Sequence, residues 1–301
     1  MRSELDRRTL RLRDGRTFLS PTGRLLRFAA PPTGVPAALV AAGAAHPLPD
    51  PLPADDVTVV IPVSDRVAEL DRCLAALGHD DVLVVDDGSY DAAGVAAVCA
   101  RHGATVVRRD NGGPAAARNT PLPLLHKDFV AFLDSDCVPP PGWLQQLRGH
   151  LADASLGAVA PRVTGGLRSP LDLGPDPGLV RPGNPVSYVP TAALLVRRAA
   201  LTPFDEQLRF GEDVDLVWRM VEAGWQVRYD PRVVVHHEEP PALADRLVRR
   251  YRYGTSAAPL SRRHPDAVTH LVAPPWPTAA VVALLSGRPW SAGVAAGVTA
   301  Q

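Results

Sequence analysis

The sequence predicts an α/β domain built on a mostly parallel central sheet, flanked by a small N-terminal appendage and C-terminal helices. Three observations carry this. Short continuous apolar runs such as Val57–Val63, Val82–Val85 and Phe129–Leu133 have the composition of strands covered on both faces. Amphipathic or Ala-rich stretches alternate with them. Carboxylates follow the apolar runs directly, as in Val84-Val85-Asp86-Asp87 and Phe132-Leu133-Asp134-Ser135-Asp136. In an open α/β sheet that is the ligand-binding side, outside the carboxyl ends of the strands.

Residues 1–54 read as a small separate unit. Asp14-Gly15 and Pro21-Thr22-Gly23 are turn signals among apolar islands, so one or two hairpins are expected. An Ala-rich stretch at 36–45 suits a short helix. Pro47 to Pro53 reads as an extended, semi-rigid linker. The catalytic candidate spans 55–240. Its expected strands are 57–63, 82–86, 104–108 and 128–133, with helices at 66–77, 92–102 and 113–120. Val67, Leu70, Leu74 and Leu77 form an apolar stripe at helical spacing. A further helix begins near Trp143, and the Gly/Pro-rich stretch 165–187 reads as a long loop. A second block holds strand 191–197, helix 212–223, strands 225–229 and 232–237, and helix 241–253.

Residues 241–301 form the C-terminal segment. Its apolar stretch from Thr278 to Ala300 is broken by Ser286-Gly287-Arg288-Pro289. The unbroken parts fall short of the roughly 20 residues a spanning helix needs. Short helices on the domain or on a membrane surface are expected there, and the abrupt end suggests a shortened form.

Of the 301 residues 46% are hydrophobic and the formal net charge is zero, so no global field points to nucleic acid. Lys127 is the only lysine. Cys73, Cys99 and Cys137 are odd in number and widely spaced, which suits a reducing, cytoplasmic setting. No apolar leader marks secretion. A dinucleotide-dependent dehydrogenase is disfavoured, because Pro62-Val63-Ser64-Asp65 stands where its glycine fingerprint would follow the first strand.

Taken in order, Asp86-Asp87-Gly88-Ser89, Asn111 to Asn119, Asp134-Ser135-Asp136, Phe204-Asp205-Glu206, Gly211-Glu212-Asp213 and His236-His237 resemble the family 2 inverting glycosyltransferases. Those have a Rossmann-like, nucleotide-sugar-binding fold, the glycosyltransferase A fold. A closer likeness lies at Tyr253-Gly254-Thr255-Ser256-Ala257-Ala258-Pro259-Leu260 and Arg263-His264-Pro265. These stretches look like the glycosyltransferases of mycofactocin systems, in which the N-terminal leader is a small domain; here it is abbreviated.

The resemblance implies roles. Pro62, Asp86, Asp87, Arg118 and Asp134 would bind the nucleotide sugar, with Asp87 toward uracil, Asp86 as its helper and Asp134 toward ribose. Asp136 and His237 would hold Mn²⁺ or Mg²⁺. Two Asp one residue apart reach one side of an extended segment, and such hard oxygen ligands share a cation with phosphates. His236 and His237 end a strand, and period two sets them on opposite faces; His237 is favoured. Asp213 would be the general base, with Glu212 the alternative. Either carboxylate also fits simple helix capping. Pro121, where the family continues differently, should end the helix that carries Arg118.

The implied donor is a UDP-sugar, UDP-glucose in the closer resemblance, and the implied acceptor is a peptide-derived redox cofactor precursor. Two other readings stay open. One is a peripheral membrane glycosyltransferase for a lipid or polysaccharide, suggested by Arg246, Arg249, Arg250 and Arg252. The other is a UDP-binding module without catalysis.

Overall fold

The computed structural model describes residues 45–79, 81–165, 169–238 and 251–267, the short stretches 9–11 and 17–19, and residues 40, 43 and 248. The helices expected at 36–45 and 241–253, and the apolar stretch 278–300, lie largely or wholly outside these residues.

The N-terminal unit is a three-stranded antiparallel sheet of β1 (Thr9–Arg11), β2 (Thr17–Leu19) and β3 (His46–Leu48) in that order. The β1–β2 hairpin spans the Asp14-Gly15 turn signal. The expected linker needs correction at its start, because His46–Leu48 is a strand paired to β2. Pro47 is tolerated there because β3 is an edge strand, where a missing N–H need cost no ladder bond. The chain beyond β3 lies on the larger domain: Leu52 N donates to Gln145 O at 3.0 Å.

That larger domain is built in order from β4 (Val57–Val63), α1 (Val67–Leu77), β5 (Val82–Asp87), α2 (Ala92–Arg101), β6 (Thr105–Arg109), α3 (Pro114–Asn119), β7 (Phe129–Leu133), β8 (Cys137–Val138), α4 (Trp143–His150), β9 (Leu156–Thr164), β10 (Gly178–Leu179), β11 (Ala193–Arg197), α5 (Glu212–Glu222), β12 (Gln226–His237) and α6 (Ala257–Arg263). One nine-stranded sheet runs β10-β12-β9-β11-β7-β4-β5-β6, with β8 added to β12. The half β6-β5-β4-β7 is parallel, with the order of the first half of a doubly wound sheet. β11 then enters antiparallel between β7 and β9, while β9 and β12 pair in parallel. The order reverses beside β4, which opens a crevice at the carboxyl ends of β4 and β7.

Alternation within the buried strands supplies a core on each face. Val59, Ile61 and Val84 pack with Leu70, Cys73, Trp143 and Leu147 on one side. Val60, Val85 and Phe132 pack with Leu216, Val217 and Trp218 on the other. Helix α1 buries Leu70, Cys73, Leu74 and Leu77, the stripe expected from spacing, and ends on Gly78 in the left-handed conformation.

Three expectations change. β9 was not anticipated: Gly157 and Pro161 interrupt its apolar run, yet both fit, the glycine because Trp225 packs within 2.9 Å of where a Cβ would sit. The loop 165–187 contains β10, which pairs with Arg228 and Tyr229. The strands expected at 225–229 and 232–237 are one strand, β12, whose register shifts between Asp230 and Val234. That shift absorbs Pro231, which cannot donate to the ladder.

Asp230 stands at this irregularity. His150 Nε2 lies 2.8 Å from its Oδ2, and Arg232 Nη2 2.5 Å. Burial alone would raise its carboxyl, but the hydrogen bonds from His150 and Arg232 outweigh burial and hold it far below the ordinary range. A depressed carboxyl contributes stability that is present above its unfolded value and lost as pH falls. Asp230→Asn should therefore cost about 3 kcal/mol at neutral pH. The deficit should narrow as pH falls below about 4. Urea denaturation across that range checks this; a pH-independent deficit would contradict it.

Candidate active site

A cavity of about 1210 Å³ lies at the crevice between the carboxyl ends of the parallel strands and the start of α5. β4 contributes Pro62 and, beyond it, Arg66; β5 contributes Asp87; β7 leads into Asp134 and Asp136; α5 begins with Glu212 and Asp213. His237, the last residue of β12, completes this set.

Asp86 and Asp87 end the buried strand β5 and have different surroundings. Asp86 does not line the cavity. It accepts from Ser89 N at 2.9 Å and from Arg108. Asp87 lines it, with a carboxylate that supports the glycine loop: it accepts from Gly112 N at 2.9 Å, Gly113 N at 2.8 Å and Arg109 Nη1 at 2.7 Å. The approach is close. A Cβ on Gly88, whose φ is 76°, would come within 2.7 Å of Asn111 N.

That loop leads into α3, with Pro114 at its first turn, where no N–H is missed. The helix ends at Asn119, two residues before Pro121, as expected. Arg118 is 4% exposed. Its Nη2 donates to Asp134 Oδ1 at 2.6 Å and its Nη1 to Glu212 Oε1 at 3.0 Å. Burial opposes its charge, and Asp134 and Glu212 more than restore it. Asn119 binds the backbone of Phe204 in both directions, donating to its O at 2.9 Å and accepting from its N at 2.8 Å. Helix α3 thus ties the loop before α5 to the sheet.

Asp134 and Asp136 face the same cavity with different partners. Asp134 is held by Arg118, while Asp136 pairs with Arg66 and lies 3.5 Å from His237 Nε2. Of the two histidines His237 is buried and His236 exposed. The short strand β8 decides this by pairing His237 with Cys137, and Glu238 N donates to Asp136 O at 2.9 Å.

At the start of α5 the dipole favours negative charge. Burial nevertheless raises both carboxyls. Glu212 is pushed up to about 7 by burial and then by the charge of Asp213, with Arg118 opposing. Asp213 is raised by burial, against a hydrogen bond from Val214 N at 2.8 Å and the charge of Arg118. The Glu212 carboxylate is engaged by Arg118. That of Asp213 lines the cavity and stays partly exposed.

Residues 58–176 match the family described as glycosyl transferase family 2. Over 307 aligned residues the chain is 42% identical to the pre-mycofactocin glycosyltransferase of Mycobacterium tuberculosis, in strains CDC 1551 / Oshkosh and ATCC 25618 / H37Rv alike. Residues 58–176 thus carry a glycosyl transferase family 2 domain. The alignment covers 89% of this chain and 65% of those relatives, so the chain spans just under two thirds of their length. Glycosyltransferase AglE of Haloferax volcanii is 26% identical over 66% of this chain and 71% of its own. Among solved structures, S. aureus TarS 1-349 superposes with a TM-score of 0.54 over 78% of this chain and 72% of that one, at 17% identity. That is a likeness of fold, and it agrees with the glycosyltransferase A architecture expected from the sequence.

Two features of this family 2 domain escaped the sequence reading. One is Arg66, three residues past β4, at a strand's carboxyl end where any polar residue merits attention. The other is the role of the Arg263-His264 motif. His264 Nδ1 lies 2.6 Å from Glu222 Oε1 and its Nε2 3.0 Å from Asp215 Oδ1, with its ring edge-on to Trp218 at 5.3 Å. Trp218 is buried in the core, with its indole N–H on Ser187 O at 2.8 Å.

Arg118→Ala would leave Asp134 and Glu212 without their shared cation in a buried site, so it should cost about 3–5 kcal/mol at neutral pH. Arg118→Lys should recover only part, since one ammonium lacks the fork that reaches both carboxylates. The Ala deficit should shrink as pH falls from about 8 to about 5, because protonating Glu212 removes one unpaired charge. Chemical denaturation across that range tests it, and a deficit that grows on acidification would refute the bridge.

Proposed function

We propose that this chain is a metal-assisted glycosyltransferase that moves a sugar from a nucleotide diphosphate donor to an acceptor hydroxyl with inversion. The observation that carries the reading is the convergence of Asp213, at the start of α5, with Asp134 and Asp136, beyond β7, on one cavity of a family 2 domain. The cavity exceeds the roughly 300–1,000 Å³ of most small-molecule sites, so the donor and the acceptor's reacting end can share it.

Asp213 acts as general base in this reading. Its raised pKa makes it a better proton acceptor than an ordinary carboxylate, and its place on the cavity wall suits a hydroxyl approaching the donor. Glu212 serves differently: bound to Arg118, it fixes the first turn of α5 and so the base beside it. One displacement on the face opposite the leaving nucleotide inverts the anomeric centre. Asp134, steadied by Arg118, is the ribose-side candidate. Pro62 and Asp87 line the nucleotide end, where Asp87 also supports the glycine loop. Asp86 lies behind that wall and acts through it.

Asp136 and His237 are the candidate cation ligands. A buried carboxylate and imidazole 3.5 Å apart form a donor pair suited to Mn²⁺ or Mg²⁺. Among the described residues no group of three or more acidic, His or Cys side chains could hold a metal ion. Two protein ligands suit a cation shared with substrate phosphates. Such a cation, when bound, neutralises charge on the departing diphosphate.

UDP-glucose as donor and a peptide-derived redox cofactor precursor as acceptor are the finer reading. It is supported by 42% identity to the pre-mycofactocin glycosyltransferases. No helix among the described residues is long and apolar enough to cross a membrane. The proposed peripheral contact would use the Arg-rich segment, of which only Arg252 is described.

Turnover of UDP-glucose with Mn²⁺ or Mg²⁺ tests the assignment. Asp213→Asn should lower kcat about 10³-fold while UDP affinity is kept. Asp136→Ala should abolish the metal response. Because the base works only when ionised and its pKa is raised, the acid limb of kcat/KM should lie above the ordinary carboxylate range, with rate falling as pH drops. A folded wild type with no metal-dependent UDP binding would defeat the proposal.

A further inference from the structure

We propose that Arg66 is a built-in counter-ion of Asp136 that a divalent cation must displace, so that cation binding is conditional on a nucleotide diphosphate that receives the displaced guanidinium. This rests on the metal-assisted reading above.

The pairing is direct. Arg66 Nη1 contacts Asp136 Oδ2, and the Arg66 side chain is 40% exposed against 9% for Asp136. The carboxylate proposed to bind a cation is thus already paired with one of the protein's own, carried on a side chain with room to move. Both line the cavity.

The backbone aims Arg66 there. Asp65 has φ 56°, the only positive-φ non-glycine among the described residues. The left-handed conformation is unfavourable for an L-residue, less so for Asp than for most. Two hydrogen bonds hold it: Asp65 N donates to Ser89 Oγ at 3.0 Å, and Tyr90 N donates to Asp65 Oδ1 at 2.6 Å. Ser89 is itself fixed through Asp86. The turn after β4 is therefore pinned to the turn after β5, and the bend between them points Arg66 at Asp136.

Helix formation does not account for an Arg at this position. Arg66 is the N-cap of α1 and makes no side-chain cap hydrogen bond. Ser, Thr, Asp or Asn would cap better. A strained residue followed by an unsuitable cap, both directed at one carboxylate, is a departure from local preference of the kind found at functional sites.

Charge then sets the consequence. Arg118 serves Asp134 and Glu212, while Arg66 sets a guanidinium on Asp136. A guanidinium and a divalent cation repel each other and compete for the same carboxylate, with Arg66 on Oδ2 and His237 beside Oδ1. Arg66 leaves readily only where another anion takes it, and a diphosphate in the cavity offers fitting oxygens. Cation and nucleotide would then strengthen each other's binding by the same factor.

The test is Mn²⁺ binding to the full chain, followed by electron paramagnetic resonance of free Mn²⁺ with and without UDP. Wild type should bind Mn²⁺ weakly alone and much more tightly with UDP. Arg66→Gln should bind Mn²⁺ about tenfold more tightly than wild type without nucleotide, and the further gain on adding UDP, whose phosphates still ligate the cation, should be smaller than in wild type by about the same factor. Arg66→Lys keeps the charge and should stay weak without nucleotide. An Arg66→Gln affinity that is unchanged or lower, or an equal gain in Arg66→Lys, overturns the displacement. If wild type binds no Mn²⁺ even with UDP, the metal-assisted reading fails, and this one with it. Matching thermal unfolding of the variants and wild type establishes that folding is not the variable.

Discussion

The site depends on one buried cation. Asp134, Glu212 and Asp213 come from segments nearly 80 residues apart, and three carboxylates drawn onto one cavity repel. Arg118, in the cavity wall, makes the assembly possible by bridging Asp134 and Glu212. Its two hydrogen bonds tie together the end of β7, α3 and the start of α5, so one guanidinium sets the geometry of Asp134 and of the first turn of α5. The raised carboxyls at the start of α5 show the remaining tension: burial and mutual charge outweigh Arg118 and the helix dipole together. For a proton acceptor that imbalance is useful, since a fully compensated carboxylate would be a weak base.

Topology does the rest. A purely parallel sheet would carry β11 and the chain beyond it the same way as β7. With β11 reversed, the chain comes back antiparallel beside β7, and Asp134 N bonds Ala192 O at 2.9 Å just before β11 begins. On the far side β12 runs 12 residues, long enough to pass its irregularity at Asp230–Val234 and reach β8. Only this length brings His237 beside Asp136. The irregularity is stabilised by Asp230 with His150 and Arg232, so a buried ion pair remote from the cavity helps set the register that delivers a cavity residue.

What was legible in the sequence follows from where the determining forces are local. β4, β5 and β7 were readable because strands buried on both faces are continuous apolar runs, and α1 because its stripe repeats at helical spacing. The acidic clusters were readable because they sit one step past those runs. β9 was hidden by Gly157 and Pro161, whose tolerance depends on Trp225 and on strand pairing. Pro47 disguised β3 in the same way. Period two already favoured His237 over His236, but its place beside Asp136 depends on the pairing of β12 with β8, two residues long. Arg118 was legible as a site residue, and it lines the cavity, but its bridge was not, because its partners lie 16 and 94 residues away. Arg66, whose partner lies 70 residues away, was missed altogether.

The Arg263-His264 motif shows how a segment outside the sheet can control the chemistry at its edge. α6 meets α5 at both ends. At the start of α5, Gly211 has φ 82°, and a Cβ there would come within 2.8 Å of the Ser256 Cβ, so the two backbones approach as only glycine allows. At the other end His264 joins Glu222, and in the first turn it reaches Asp215, which also accepts from Arg219. Arg263 extends the contact to Asp205, in the loop that α3 ties to the sheet. A helix gripped along its length cannot turn or slide, and Glu212 and Asp213 are its first two residues. Ser256 and Tyr253 from the same C-terminal segment line the cavity beside them. One segment thus holds the helix that carries the proposed base and shapes the cavity wall next to it.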